Sequence, residues 1–192
     1  MRFLNDHTIK LERELNDLDR FVLKFLKVLE KYVDYVIISG YIAILFGRSR
    51  ATEDVDVFIK PIDREQFIRL YHHLQKDGFW CLNAESDDEV YSYLGEGIAI
   101  RFARSGEAIP NFEVKIAKNI LSLATFSDAI EVETSEGTIK ISSLERQVAF
   151  KKYYLGSDKD LEDAKHIEEL FKDHLDYDTI KKYKDLIKKE YG

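Results

Sequence analysis

Between Thr8 and Val33 apolar residues return every three or four positions. Leu11, Leu15, Leu18, Val22, Phe25, Leu29 and Tyr32 form one stripe, the spacing of a long amphipathic helix. Such a stripe suits a partner helix in a homodimer. Phe21 and Leu26 widen it beyond a narrow seam, however, which favours a face laid on the chain's own core. The pattern then changes. Tyr35-Val36-Ile37-Ile38 is a short, β-branched run that reads as a buried strand broken by Ser39-Gly40. A short helix over 41–46 closes at Gly47. Asp54-Val55-Asp56-Val57-Phe58-Ile59 alternates as a second strand and stops before Pro61, and Asp63 is placed to cap a helix running to Lys76.

The middle of the chain reads as β. Glu89–Leu94, Ile98–Ala103 and Asn111–Ile116 alternate or run apolar between glycine turns, and a hairpin is expected from Ala129 to Ile141 around Ser135-Glu136-Gly137. From Ser143 onward the spacing is helical, over 144–154, 159–171 and 179–190. The expected architecture is α+β: a mixed sheet flanked by helices over residues 1–142, opened by the long N-terminal helix, and a helical C-terminal part over 143–192. The boundary between them is soft, because no low-complexity linker divides the chain.

Composition narrows the class. The chain has 192 residues, of which 45% are hydrophobic and 34% charged, so it can bury a sizeable core and is no disordered segment. A net charge of −7 argues against a protein that coats nucleic acid through a broad basic surface. The lysines at 181, 182, 184, 188 and 189 read as a solvated helix face. Cys81 is the single cysteine, which excludes an internal disulfide and a cysteine-based zinc site. No apolar run has the length of a membrane span or the form of a signal peptide, and a cytoplasmic protein is expected. The single methionine, with abundant Lys and Glu, hints at a thermophilic source.

The candidate chemistry lies around the second strand. Asp54 and Asp56 project from one strand face while Val55 and Val57 point the other way. Paired carboxylates repel unless a cation or proton is shared, and hard oxygen ligands suit Mg²⁺, with Mn²⁺ as an alternative. Acidic pairs at this spacing recur in the chain. Glu131/Glu133 share the apolar–acidic alternation but read as the wet face of a hairpin. Asp54/Asp56 differ in being preceded by a strand, a small-residue turn and a helix, an arrangement that lets phosphate approach backbone N–H groups.

These residues resemble a known superfamily. Ser39-Gly40 followed by Asp54-Val55-Asp56-Val57 is similar to the motif of the polymerase-β-type nucleotidyltransferases. The fuller run Ser39-Gly40-Tyr41 … Gly47 … Arg50-Ala51-Thr52-Glu53-Asp54-Val55-Asp56 resembles the small nucleotidyltransferases related to AbiEii-type toxins, with Ser39 where that pattern has glycine. The resemblance implies a catalytic triad of Asp54, Asp56 and a third carboxylate on a later strand, matched by Glu113, holding two Mg²⁺ ions. Glu113 would also serve as general base; its other reading is a partner for Arg101 or Lys115. Ser39, Gly40, Arg50 and Thr52 would face a nucleoside triphosphate, although Arg50 also suits a pair with Glu53. Lys152 and Lys159 would reach phosphate or acceptor, oriented by Asp160 and Asp163, or else belong to an ordinary capped helix start. The implied reaction transfers a nucleoside monophosphate to an acceptor and releases pyrophosphate. RNA such as a tRNA end, a protein side chain and a small molecule all fit as acceptor. Two other readings stand beside it: a toxin held by an antitoxin protein, and a nucleotide-binding module without turnover.

Overall fold

The computed structural model describes residues 1–52 and 54–191. Among the described residues nine strands form one mixed sheet in the order β1-β2-β8-β9-β3-β4-β7-β6-β5. They are β1 (Arg2–Asn5), β2 (Thr8–Lys10), β3 (Tyr35–Ile37), β4 (Asp54–Ile59), β5 (Phe79–Cys81), β6 (Ile100–Arg104), β7 (Asn111–Ile116), β8 (Ile130–Glu133) and β9 (Thr138–Ile141). β3 runs antiparallel to β4, and β4 runs parallel to β7 with Val55 opposite Phe112 and Asp56 opposite Glu113. The α+β architecture expected from the sequence is the one observed.

Alternation divides the central strands into two faces. Val55, Val57, Phe112 and Val114 are buried on one of them. The helix α1 (Asp17–Leu29) covers that face: Phe25 stacks on Phe112 at 3.9 Å between ring centroids, and Phe21 at 4.8 Å. The stripe through Val22, Phe25 and Leu29 is thereby spent on the chain's own core. The opposite face carries Asp54, Asp56, Glu113 and Lys115, and it is flanked by the C-terminal helices.

Those helices are α6 (Leu144–Phe150), α7 (Asp158–Phe171) and α8 (Tyr177–Tyr191). Between α6 and α7 the helix widens into a π turn over Lys151–Leu155, closed by Gly156 N–H donating to the Lys151 carbonyl at 3.0 Å. Leu144, Val148, Ile167, Phe171 and Ile187 join the same apolar cluster as the sheet. The lysines of α8 at 181, 182, 184, 188 and 189 are exposed, and so are Glu131 and Glu133 on β8. Among the described residues no helix is long and apolar enough to cross a membrane.

Two expectations fail. The long helix from Thr8 does not exist: Thr8–Lys10 is a strand paired in parallel with Glu131–Glu133, and α1 begins only after Asn16. The Asn16 side chain accepts from Asp19 N–H while Asp19 accepts from Asn16 N–H, a reciprocal cap that fixes the helix start. Leu11 and Leu15 are buried, but from outside the helix. Glu89–Leu94 is not a strand either. It lies in the helix α4 (Asp87–Glu96), capped by Ser86, charged by Asp87, Asp88 and Glu89 in its first turn, and ended by left-handed Gly97. Val90 and Leu94, four apart, are its buried face. β1, β5 and the short helix α5 (Ile120–Ala124) are additional to the expected elements.

Candidate active site

The acidic face is assembled by the β4–β7 ladder. Asp56 lies opposite Glu113 and Asp54 opposite Asn111, so Asp54, Asp56 and Glu113 share one side of the sheet. Lys115, two residues beyond Glu113, joins them. Its ammonium lies 3.2 Å from Asp56 Oδ1 and 3.1 Å from Glu113 Oε2. Arg101, opposite Glu113 on β6, pairs with the other oxygen, Oε1. Both alternative partners of Glu113 are therefore engaged at once.

The electrostatics follow from this packing. Burial raises the Asp56 pKa above the usual carboxylate value; Lys115 pulls it back, and Asp54 and Glu113 push it further up. Glu113 is pushed up by burial as well, but Lys115 and Arg101 outweigh that and hold it below the usual value. For Lys115, burial works against the charged form, yet Asp56 and Glu113 raise its pKa overall. The face holds three carboxylates with a resident cation between two of them. Its donors are of the hard oxygen type that divalent cations take. Among the described residues no three His, Cys, Asp or Glu side chains close on a common point. The Lys115 ammonium stands between the two facing carboxylates instead.

Next to this face runs the turn after β3. Ile38 N–H donates to the Asp56 carbonyl at 3.0 Å, which sets Ser39 beside the acidic pair. Ser39 has φ +67° and ψ −141°, a backbone conformation that favours glycine, and its hydroxyl does not cap the following helix. That helix, α2 (Gly40–Leu45), has six residues, so the helix dipole contributes little and the turn's backbone is what remains as a phosphate seat. Buried Tyr41 donates from its hydroxyl to Asp19 Oδ1 at 2.8 Å and ties the turn to the start of α1.

Arg50 packs against the turn: a Cβ at Gly40 would lie 3.1 Å from its guanidinium nitrogens. Its ion pair is with Asp163 on α7, which is fully buried and also receives Arg48 and the Lys151 ammonium, the latter at 2.8 Å. The alternative partner Glu53 lies outside the described residues. Burial lowers the Arg50 pKa from its ordinary value, and Arg48 lowers it further. Thr52 donates its hydroxyl to the Asp54 carbonyl at 2.9 Å and so holds the entrance of β4.

A cleft of about 330 Å³ opens between the acidic face and the C-terminal helices. Ser39, Asp56 and Lys115 line it from the sheet, and Arg146, Gln147 and Lys151 from α6 and the π turn. Asp54 and Glu113 lie beside it on the same sheet face without lining it, and Gly40, Arg50, Thr52, Lys152 and Lys159 are not among its walls either. Lys152 pairs with Glu168, and Lys159 is exposed, its carbonyl accepting from Arg48 at 3.2 Å. The lysine that the C-terminal helices bring to the cleft is Lys151, paired with Asp163 at 2.8 Å and with Asp160 at 3.3 Å. The sequence held a signal for it, since Leu144, Val148 and Lys151 continue one helical stripe by steps of four and three.

No protein-family model and no curated protein matches the sequence. Solved structures do match. The antibiotic-resistance factor ANT(2″)-Ia, in its solution structure, superposes with a TM-score of 0.55 at 14% identity, covering 92% of this chain and 95% of that one. Its crystal structure in complex with adenylyl-2″-tobramycin gives the same TM-score and identity and is covered over its full length, 100%. An antigenic nucleotidyltransferase-like protein from Paracoccidioides brasiliensis matches with a TM-score of 0.52 at 18% identity, over 90% of this chain and 87% of that one. The fold is nucleotidyltransferase-like. Within this fold the acidic pair of β4 and the Ser39 turn after β3 lie on neighbouring strands.

Proposed function

We propose that this chain is a nucleotidyltransferase that moves a nucleoside monophosphate from a triphosphate to an acceptor hydroxyl. The observation that carries the proposal is the juxtaposition of three carboxylates, Asp54, Asp56 and Glu113, on one sheet face beside the Ser39-Gly40 turn, with Asp56 and Ser39 lining the cleft, within this fold. An isolated acidic pair would carry much less.

In this reading the triphosphate lies along the Ser39-Gly40 backbone, and Lys151, its ammonium held by Asp163 and Asp160, stiffens the opposite wall of the cleft. Asp54, Asp56 and Glu113 are the residues that would hold Mg²⁺ or Mn²⁺. A cation held there would neutralise phosphate charge and lower the cost of forming the attacking oxygen. The acceptor oxygen forms a bond to the α-phosphorus, the α–β phosphoanhydride bond breaks, and pyrophosphate leaves with the electron pair. Glu113 takes the acceptor's proton. The aromatic side chains Phe150, Tyr154 and Tyr191 give the cleft an apolar end suited to a flat base or a ring-bearing acceptor. RNA, protein and small-molecule acceptors remain the candidates.

A second reading, nucleotide binding without turnover, draws on one observation: a lysine ammonium lies between two of the three carboxylates. Calorimetric binding of a triphosphate whose α–β bridge cannot be cleaved, with and without Mg²⁺, tests what the two readings share. Binding that requires Mg²⁺ and is lost in Asp54→Asn/Asp56→Asn supports the site. Binding that survives that double change places the nucleotide elsewhere and removes both readings.

A further inference from the structure

Lys115 belongs to neither the turn nor the triad, yet it is central to the acidic face. Its two contacts, 3.2 and 3.1 Å, are longer than the ~2.7–2.9 Å of a tight charge-assisted hydrogen bond. The ammonium is shared between Asp56 and Glu113 without being locked to either. Its side chain is 35% exposed and lines the cleft, so the flexible four-carbon stem has room to turn toward solvent or toward a phosphate. Glu113 does not depend on Lys115 for a partner, because Arg101 holds its other oxygen. The parts add up to a cation seat whose occupant can leave.

We propose that Lys115 is a built-in competitor for the divalent cation. Its ammonium holds the seat between Asp56 and Glu113 while the site is empty, and it must swing out when a metal enters. The inference rests on the reading of Asp54, Asp56 and Glu113 as metal-holding residues. The consequence is a site that takes a divalent cation poorly alone and better together with a polyphosphate, because the anion gives the displaced ammonium a new partner. Lys115 is thus a positioning residue that couples metal entry to nucleotide entry, and it keeps Asp56 and Glu113 compatible with one another before either arrives.

The test is calorimetric titration of Mn²⁺ into nucleotide-free protein. Lys115→Gln keeps the length of the stem and removes the charge, and Lys115→Met serves if that variant folds poorly. Lys118→Gln removes a neighbouring charge outside the seat. The expected result is Mn²⁺ affinity about tenfold or more above native in the Lys115 variant. Lys118→Gln should stay within about threefold of native, since an exposed charge outside the seat is screened. The gain should disappear in Lys115→Gln/Asp56→Asn. Equal affinity in native and Lys115→Gln, with the Asp56 dependence intact, overturns the competition but leaves the metal site standing. A gain in Lys118→Gln as large as that in Lys115→Gln also overturns it, by showing a general charge effect. Absence of any Asp56-dependent Mn²⁺ binding removes the metal site and the competition together.

Discussion

Replacing Ser39 by glycine should make this protein more stable. Ser39 holds φ +67° and ψ −141°, which brings a Cβ close to the backbone and costs a non-glycine residue about 1–3 kcal/mol. Its hydroxyl caps nothing in α2, so little is lost with the side chain. Glycine carries its own penalty, roughly 0.5–1 kcal/mol of extra backbone entropy in the unfolded chain. The difference leaves a net gain of about 1 kcal/mol, equivalent to a rise of roughly 2–4 °C in Tm for a chain of this size. Ser39→Ala is the control: it removes the hydroxyl but keeps the Cβ, and it should leave stability near native. The assay is urea unfolding followed by circular dichroism, with the midpoint compared at constant slope. A Ser39→Gly protein no more stable than Ser39→Ala would refute the reasoning, because the turn would then carry no strain that glycine relieves.

The buried carboxylate of Asp163 holds Arg48, Arg50 and Lys151 together. Asp163→Asn should cost about 3 kcal/mol by denaturant unfolding, the low end for a broken buried pair, because Asp160 and Glu162 still face Lys151 and Arg48; a cost under ~1 kcal/mol would contradict the network. Tyr183 donates its hydroxyl to Asp128, and its pKa is pushed up to about 12, first by burial and then by that carboxylate. A raised value means that its contribution to stability is whole below the ordinary tyrosine value near 10 and is lost as pH rises through about 12. The tyrosinate absorbance difference between native and Tyr183→Phe protein should titrate there and move down in Asp128→Asn; titration near 10 in all of them would refute the contact.

Local pattern carries much of this fold, for reasons visible in particular elements. Asp54–Ile59 alternates so regularly that its two faces can be assigned from the sequence alone, and Asp63 marks the start of the helix α3 (Arg64–Lys76) by its side chain. The N-terminus misleads because Leu11 and Leu15 fall in phase with the stripe of α1 although they are buried from an irregular segment. What decides the point is the pairing of Thr8–Lys10 with β8, more than a hundred residues away. Residues 89–94 mislead in the other direction: Val90, Tyr91 and Tyr93 favour strands, but Ser86 and three acids in the first turn start a helix. At the candidate site, Asp54 and Asp56 are legible from their own strand. That Lys115 comes between Asp56 and Glu113 depends on the register of β7 against β4, which no local pattern encodes. The choice of Lys151 over Lys152 depends on one step of helical phase.

Nucleotidyl transfer at the face of Asp54, Asp56 and Glu113 is open to a single assay. Its most direct test is incubation of native protein with each α-labelled nucleoside triphosphate and Mg²⁺, offered total RNA, protein and small-molecule hydroxyl acceptors, beside Asp54→Asn/Asp56→Asn protein that folds normally. Transfer at this face gives label joined to one acceptor class, pyrophosphate released in equal amount, and both lost in the double variant. Label transfer undiminished in that variant would contradict it.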